Sequence, residues 1–292
     1  CSEVKNNPIY MAHSYHTKVP HPAIMRYILH YTQPGDTVLD GFCGTGMTGI
    51  AANLCGSASE VNALNEPNVK IGIRHGICSD LSSYASLIAY NYNSKFEEKI
   101  VVSEINRIYN ELEEEYSSLY KTEHSDKVGG IINFAVWSEA FQCANCGHEN
   151  LFWETAIDHE NKCILDEFPC EKCGSLITKK DGRIFESIYD DRLDKVVSVA
   201  KTRPALIVYN DSNGKRHERK ALPTDFEKIE AINRIPITYF VPTNELPAGD
   251  KTSDPINSQN IKYVHQFYTR INLICLSALL EKINTSKCPE KL

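Results

Sequence analysis

The stretch that most narrows the folds open to this chain is TVLDGFCGTGMTG, Thr37 to Gly49. A short apolar run ends on a carboxylate, Asp40, and a glycine-rich turn then launches MTGIAANLC with a helical composition. A strand that passes through such a turn directly into a helix opens a βα unit, so an α/β fold is predicted. Gly44, Gly46 and Gly49 spell G-x-G-x-x-G, the fingerprint in which backbone N–H groups approach a diphosphate at a helix N-terminus. Two neighbours argue against a diphosphate. Asp40 would repel it at short range, and Phe42 sets an aromatic ring in the turn itself. A cation or an α-amino group suits that carboxylate better, and S-adenosylmethionine carries both a sulfonium and an amino group.

The flanking pattern places the turn. PHPAIMRYILHY, 20–31, puts Pro22 near a helix start and Ile24, Met25, Ile28 and Leu29 on one face. Residues 56–70 read as an irregular polar connection, IGIRHGICSD as a second strand closed by Asp80, and LSSYASLIAY as the next helix. From Glu97 to Tyr120, Ile105, Ile108, Leu112, Tyr116 and Leu119 recur at helical spacing with acidic residues between them, which predicts one long amphipathic helix. Short β-like runs follow, including a hairpin, ALIVYNDSNGKRHERKAL, with glycine in its turn. PAGDKTSDPINS reads as a loop, and 261–283 as a helix that packs back on the first unit. The expected organisation is 1–96 for the strand-turn-helix half, 97–127 for the connecting helix, 128–250 for an inserted β-rich module and 251–292 for the returning helix.

Five of the eleven cysteines fall between Cys143 and Cys173, a clustering that a distributed disulfide framework would not give. Cys143-x-x-Cys146 and Cys170-x-x-Cys173 form two knuckles, each turning two thiolates to one side. Four cysteines leave no open coordination position, so a structural Zn2+ is expected, with Cys143, Cys146, Cys170 and Cys173 as ligands. Cys163 is left as a spare, and His148 and His159 are the candidates to replace a ligand. Cys43, Cys55, Cys78 and Cys275 sit in apolar contexts and read as small core residues.

Charge and composition bound the class. A hydrophobic share of 42% with 24% charged residues is ordinary for a globular chain. No apolar run approaches the ~20 residues of a membrane span and no secretory leader opens the chain, so a cytoplasmic protein with no membrane partner is expected. The first residue is Cys1, from which a trimmed start is expected. A net charge of −7 argues against a free-standing DNA-coating protein. GKRHERK, 214–220, is the one dense basic run, readable as a grip on a phosphate backbone or as a solvated turn.

LDGFCGTGMTG, preceded by HSYHTKVPHPAIMRYILHYTQPGD and followed by CSDLSSYASLIAYNYN, resembles the S-adenosylmethionine-binding half of the DNA amino-methyltransferases. Gly41 stands where many of them carry proline, and Val19 separates Lys18 from Pro20 in the upstream element. The resemblance implies a Rossmann-like methyltransferase fold, here partial, with an inserted β-rich zinc ribbon. It implies a cofactor pocket of His16, Thr17, Lys18, Asp40, Phe42, Cys43, Gly44, Thr45, Gly46 and Asp80. Asp80 would accept hydrogen bonds from the ribose hydroxyls; Glu60 and Glu66 compete for that role, and a helix N-cap is the other use for Asp80. It further implies methylation of adenine N6 or cytosine N4 in DNA, with DNA and restriction-system subunits as partners. The base-binding D/N/S-P-P-Y/F element of such enzymes does not occur in the sequence, SDPIN at 253–257 lacking the second proline and the aromatic. The chain is therefore expected to be the N-terminal part of a longer protein, inactive alone, with no catalytic residue of its own. An RNA methyltransferase, a non-catalytic zinc-ribbon adaptor on a methyltransferase scaffold, and a dinucleotide oxidoreductase are the competing readings.

Overall fold

In the computed structural model, which describes residues 6–123, 129–180 and 182–291, strand β1 (Thr37–Asp40) lies parallel to β2 (His75–Cys78). Backbone packing divides the chain into two units, residues 1–102 with 288–292, and residues 103–287.

The first unit contains α1 (Pro8–Met11), α2 (His21–Tyr31), β1, α3 (Met47–Leu54), α4 (Ala58–Ala63), β2 and α5 (Ser83–Asn93). Helices α2 and α3 pack together, burying Met25, Ile28, Leu29, Ala51, Ala52 and Cys55 in one cluster. Gly49 of α3 rides directly on β2: a Cβ added to Gly76 would lie 2.9 Å from the Gly49 Cα. The opposite face of the pair is bare, with Leu39 72% and Ile77 55% exposed. Arg74 is fully buried and satisfied by four acceptors, Thr32 Oγ1 and the carbonyls of Thr32, Lys70 and Gly72. It pins the chain entering β2 to the end of α2. The connection expected to be irregular holds α4, capped by Ser57, whose side chain accepts from the Glu60 N–H. Six residues with one buried apolar position, Val61, are too few to show a period.

Helix α6 (Glu98–Tyr116) is the predicted long helix, its last turn tightening into a 3₁₀ segment at Ser117–Tyr120. The second unit is built on an antiparallel sheet in the order β13-β12-β4-β3, with β5 also on β4. These strands are β3 (Lys121–Glu123), β4 (Gly129–Gln142), β5 (Glu149–Leu151), β12 (Thr202–Asn210) and β13 (Arg216–Lys220). The predicted hairpin is β12–β13, in which Asn210 faces Arg216. Three two-stranded hairpins fill the interval: β6 (Ile157–Asp158) with β7 (Cys163–Ile164), β8 (Glu167–Pro169) with β9 (Leu176–Thr178), and β10 (Phe185–Asp190) with β11 (Lys195–Ala200). One turn of helix, α7 (Phe152–Thr155), precedes them.

Three further helices complete this unit: α8 (Pro223–Asn233), α9 (Asp250–Gln259) and α10 (Arg270–Asn284). Helix α9 replaces the loop expected there; it buries no residue and carries Pro255, so neither periodicity nor composition advertises it. Helix α10 begins at Arg270 rather than at 261, because Val264–Phe267 forms a separate 3₁₀ turn. Expected to return to the first unit, α10 instead buries Leu273 and Ile274 with Ile232, Ile237 and Val241 of the second.

Candidate functional site

The turn after β1 is held from both strands. Gly44 and Gly46 take φ of +52° and +82°, the left-handed region that a side chain would strain. The Cys43 N–H donates to the Ser79 carbonyl at 3.0 Å, so the loops leaving β1 and β2 stay laced beyond the paired strands. Asp40 Oδ1 accepts from the Phe42 N–H at 3.1 Å and Oδ2 from the Thr48 hydroxyl at 2.5 Å. Asp80 Oδ2 accepts from the Gly44 N–H and Oδ1 from the Ser82 N–H, both at 2.9 Å. The N-cap of α5 is Ser82, not Asp80. The Asp80 carboxylate instead braces the turn across the two strands.

A cleft of about 140 Å³ opens over this turn, lined by Asp40, Phe42, Cys43, Gly44 and Thr45 from one side and by Thr17 and Lys18 from the other. Sequence reasoning missed Tyr15, which also lines it and whose ring edge would lie 3.0 Å from a Cβ on Gly44. His16 is exposed and outside this lining; Gly46, the N-cap of α3, and Asp80, bonded to the Gly44 N–H, also stand outside it. The Thr45 hydroxyl is buried in the cleft wall with no protein partner among the described residues. Burial, with the neighbouring Cys78, Asp40 and Asp80, pushes the Cys43 thiol up to about 11, so it stays protonated and inert near neutrality. Glu60 stands 3.9 Å from His21, and Glu66 pairs with Arg26; neither lines this cleft. A second, more polar cleft of about 240 Å³ includes Asn62, Asn65 and Asn68 and lies on the segment entering β2. Ligands of open α/β sheets bind at the carboxyl ends of the strands, which favours the cleft over the glycine turn.

The four module cysteines converge. Their sulfurs lie within 4.8 Å of one another, with Cys143 to Cys173 and Cys146 to Cys170 each at 3.6 Å. Tetrahedral thiolates about 2.3 Å from a zinc ion stand about 3.8 Å apart, whereas a disulfide would need about 2 Å. The knuckles are built alike. The N–H groups of Gly147 and Gly174 donate to the carbonyls of Cys143 and Cys170, and those of Cys143 and Cys170 to the carbonyls of His148 and Ser175. Hydrogen bonding from Ser175, its side chain first, and from Asn145 pushes Cys173 down to about 5. The His148 N–H favours the Cys146 thiolate, but burial and the three neighbouring sulfurs push that thiol up to about 12. The donor set could hold one metal ion, whose charge would favour the thiolate form of all four cysteines. Cys163 and His159 stand outside the cluster.

The basic run has internal partners. Arg219 pairs with the buried Asp225 at 2.6 and 3.0 Å and donates to Thr122 at 2.6 Å. Lys220 pairs with Glu154 at 2.7 Å, His217 with Asp211 at 2.8 Å, and Arg216 lies over the Phe134 ring. A run that reads as a phosphate grip or a solvated turn in one dimension ties β13 to β3, β4, α7 and α8 in three.

A family model described as DNA methylase, covering the N6/N4 methyltransferases, matches residues 2–74. The match spans α1 to α4 with β1, the glycine turn and the cleft, and supports a methyltransferase at the level of that family. No curated protein and no solved structure matches the chain. Among the described residues, no helix is long and apolar enough to cross a membrane.

Proposed function

We propose that the first unit is the cofactor-binding half of a Rossmann-like, S-adenosylmethionine-dependent methyltransferase acting on exocyclic amino groups of adenine or cytosine in DNA. One observation carries this reading: the cleft in which Asp40, Phe42 and Gly44 face Tyr15 and Thr17 falls wholly inside the stretch that the DNA methylase model matches. A carboxylate with the rings of Phe42 and Tyr15 in the same cleft, whose faces attract positive charge, suits a cationic ligand. Bound S-adenosylmethionine would supply the methyl group. Asp40 would orient its amino group, the backbone of Gly44 and Thr45 would approach it closely, and Asp80, already fixed to the turn, would offer its free lone pairs to the ribose hydroxyls. Cys143, Cys146, Cys170 and Cys173 would hold a structural zinc in a ribbon that stabilises the second unit.

The base-binding tetrapeptide would come from polypeptide beyond these residues, so the chain by itself would bind cofactor without methylating DNA. The bare face carrying Leu39 and Ile77 supports that reading, because parallel sheets are normally covered on both faces. Titration calorimetry with S-adenosylmethionine tests the cofactor assignment, and absence of heat would remove it. Tritium transfer from labelled cofactor to duplex DNA and to tRNA, with and without a complementing polypeptide that bears an aspartate-proline-proline-aromatic element, tests the substrate. Transfer to tRNA alone would move the activity to RNA, and transfer to DNA by the isolated chain would overturn the half-enzyme reading.

A further inference from the structure

Helix α5 ends on two adjacent residues that grip the two walls of the cleft separately. Asn93 Nδ2 donates to the Gly46 carbonyl at 3.2 Å and so holds the glycine turn. Tyr92 holds the other wall, the strap of residues 7–18 that carries Tyr15 and Thr17. Its hydroxyl donates to the Ile9 carbonyl at 3.2 Å and lies 3.2 Å from His13 Nδ1. His13 Nδ1 thus stands between the Tyr92 hydroxyl at 3.2 Å and the Lys18 ammonium at 3.4 Å; one tautomer donates to Tyr92 and the other accepts from Lys18. Burial and the Lys18 charge both lower the His13 pKa, which favours the neutral ring.

Lys18 closes the strap on itself. Its ammonium donates to the Tyr10 carbonyl at 2.6 Å and the His13 carbonyl at 3.0 Å and sits 5.0 Å from the centre of the Tyr10 ring. The Tyr10 hydroxyl returns a bond to the Lys18 carbonyl at 3.3 Å. The His13 carbonyl is the acceptor that ties Lys18 to the residue facing Tyr92. The charge is thus committed to the strap's own backbone, although Lys18 is among the residues that line the cleft.

We propose that Lys18, His13 and Tyr92 form a lock that sets the position of the strap, so that Lys18 is a positioning residue of the cofactor cleft and not a ligand to the cofactor. The proposal rests on the cofactor reading of the cleft, but the lock itself can be measured without cofactor. Hydrogen exchange read by mass spectrometry on the chain, its Lys18→Met and Tyr92→Phe variants and the double variant is the test, with calorimetry against S-adenosylmethionine alongside. In each single variant, amides of residues 9–18 are expected to exchange about tenfold faster while α3 and the urea midpoint stay unchanged. Cofactor affinity is expected to fall about tenfold in each and no further in the double variant, since both remove one lock. Loss of affinity in Lys18→Met with residues 9–18 still protected would make Lys18 a ligand and overturn the proposal, as would unchanged exchange in Tyr92→Phe. If the unaltered chain binds no S-adenosylmethionine, the cofactor reading fails, and the exchange data still decide the lock.

Discussion

Asp80 and Gly44, thirty-six positions apart, are joined by a 2.9 Å hydrogen bond from the Gly44 N–H to Oδ2, while Oδ1 takes the Ser82 N–H at the same distance. One carboxylate therefore fixes the glycine turn after β1 to the start of α5. Asp80→Ala would leave both donors without it and is expected to destabilise the first unit by about 2 kcal/mol, the usual worth of a hydrogen bond to a charged group. Urea unfolding measures that loss. If Asp80 also meets the ribose, adenosine affinity falls in the variant by more than the turn alone explains. Equal binding by both proteins would confine Asp80 to bracing.

The metal module should behave as one folding unit. Chelation, or Cys170→Ser, is expected to release one zinc per chain and to unfold the knuckles, because their core, Phe141, Phe152 and Phe168, is packed directly with Cys143 and Cys170. Structural zinc sites of this kind contribute on the order of 10 kcal/mol to folding. Elemental analysis and circular dichroism before and after chelation check this, and a module that keeps its fold without metal would contradict it.

What was legible in the sequence is what depends on neighbours along the chain. The turn was, because Asp40, Phe42, Gly44 and Gly46 are contiguous with their strand and helix, and so were the two C-x-x-C knuckles and α6 with its long apolar period. Helices α4 and α9 were not, being short and polar with one buried residue and none. The partners of the basic run, of Lys18 and of Asp80 were hidden for another reason: pairing depends on which residues folding brings together, and composition at 214–220 carries no trace of Asp225 or Glu154.

That pairing gives Arg219 a structural role with a definite pH signature. Arg219→Ala would strand the buried Asp225 carboxylate and is expected to cost about 3 kcal/mol, the range for breaking a buried pair. Burial alone would raise the Asp225 pKa, but the Arg219 and Leu222 N–H bonds outweigh it and hold the group below the ordinary aspartate range. A depressed carboxylate stabilises the fold above its unfolded-state pKa and loses that contribution as pH falls through the folded value. Asp225→Asn should flatten the acid limb of stability below the usual aspartate pKa and leave the neutral region's slope unchanged. Urea midpoints collected as a function of pH decide it.

Leu39 and Ile77 stand directly opposite each other in the β1–β2 register, and both are exposed. A cross-strand apolar pair on a bare parallel face is a binding surface for a hydrophobic dye. Wild-type chain is expected to enhance anilinonaphthalene sulfonate fluorescence. Leu39→Lys with Ile77→Lys should remove much of that signal without lowering the urea midpoint, because neither side chain is buried. Unchanged dye binding would place the signal elsewhere.

Gly46 meets two demands at once, and its replacement separates the turn from the rest of the unit. Its φ of +82° disfavours any side chain, and an added Cβ would lie 2.7 Å from the Ala89 Cβ and 2.8 Å from the Ala89 Cα. Backbone on the far side cannot yield as a flexible side-chain end would, so Gly46→Ala must either push α5 away or rotate the turn. Strain of about 1 kcal/mol from the left-handed backbone adds to the overlap, and a total destabilisation of about 3 kcal/mol is expected. Moving α5 also shifts Tyr92 and Asn93, which hold the strap and the turn, so S-adenosylmethionine affinity should fall more than tenfold. Gly35→Ala is the control: it has a similar φ of +89° but open space around the added methyl, so it should show the backbone strain and keep the affinity.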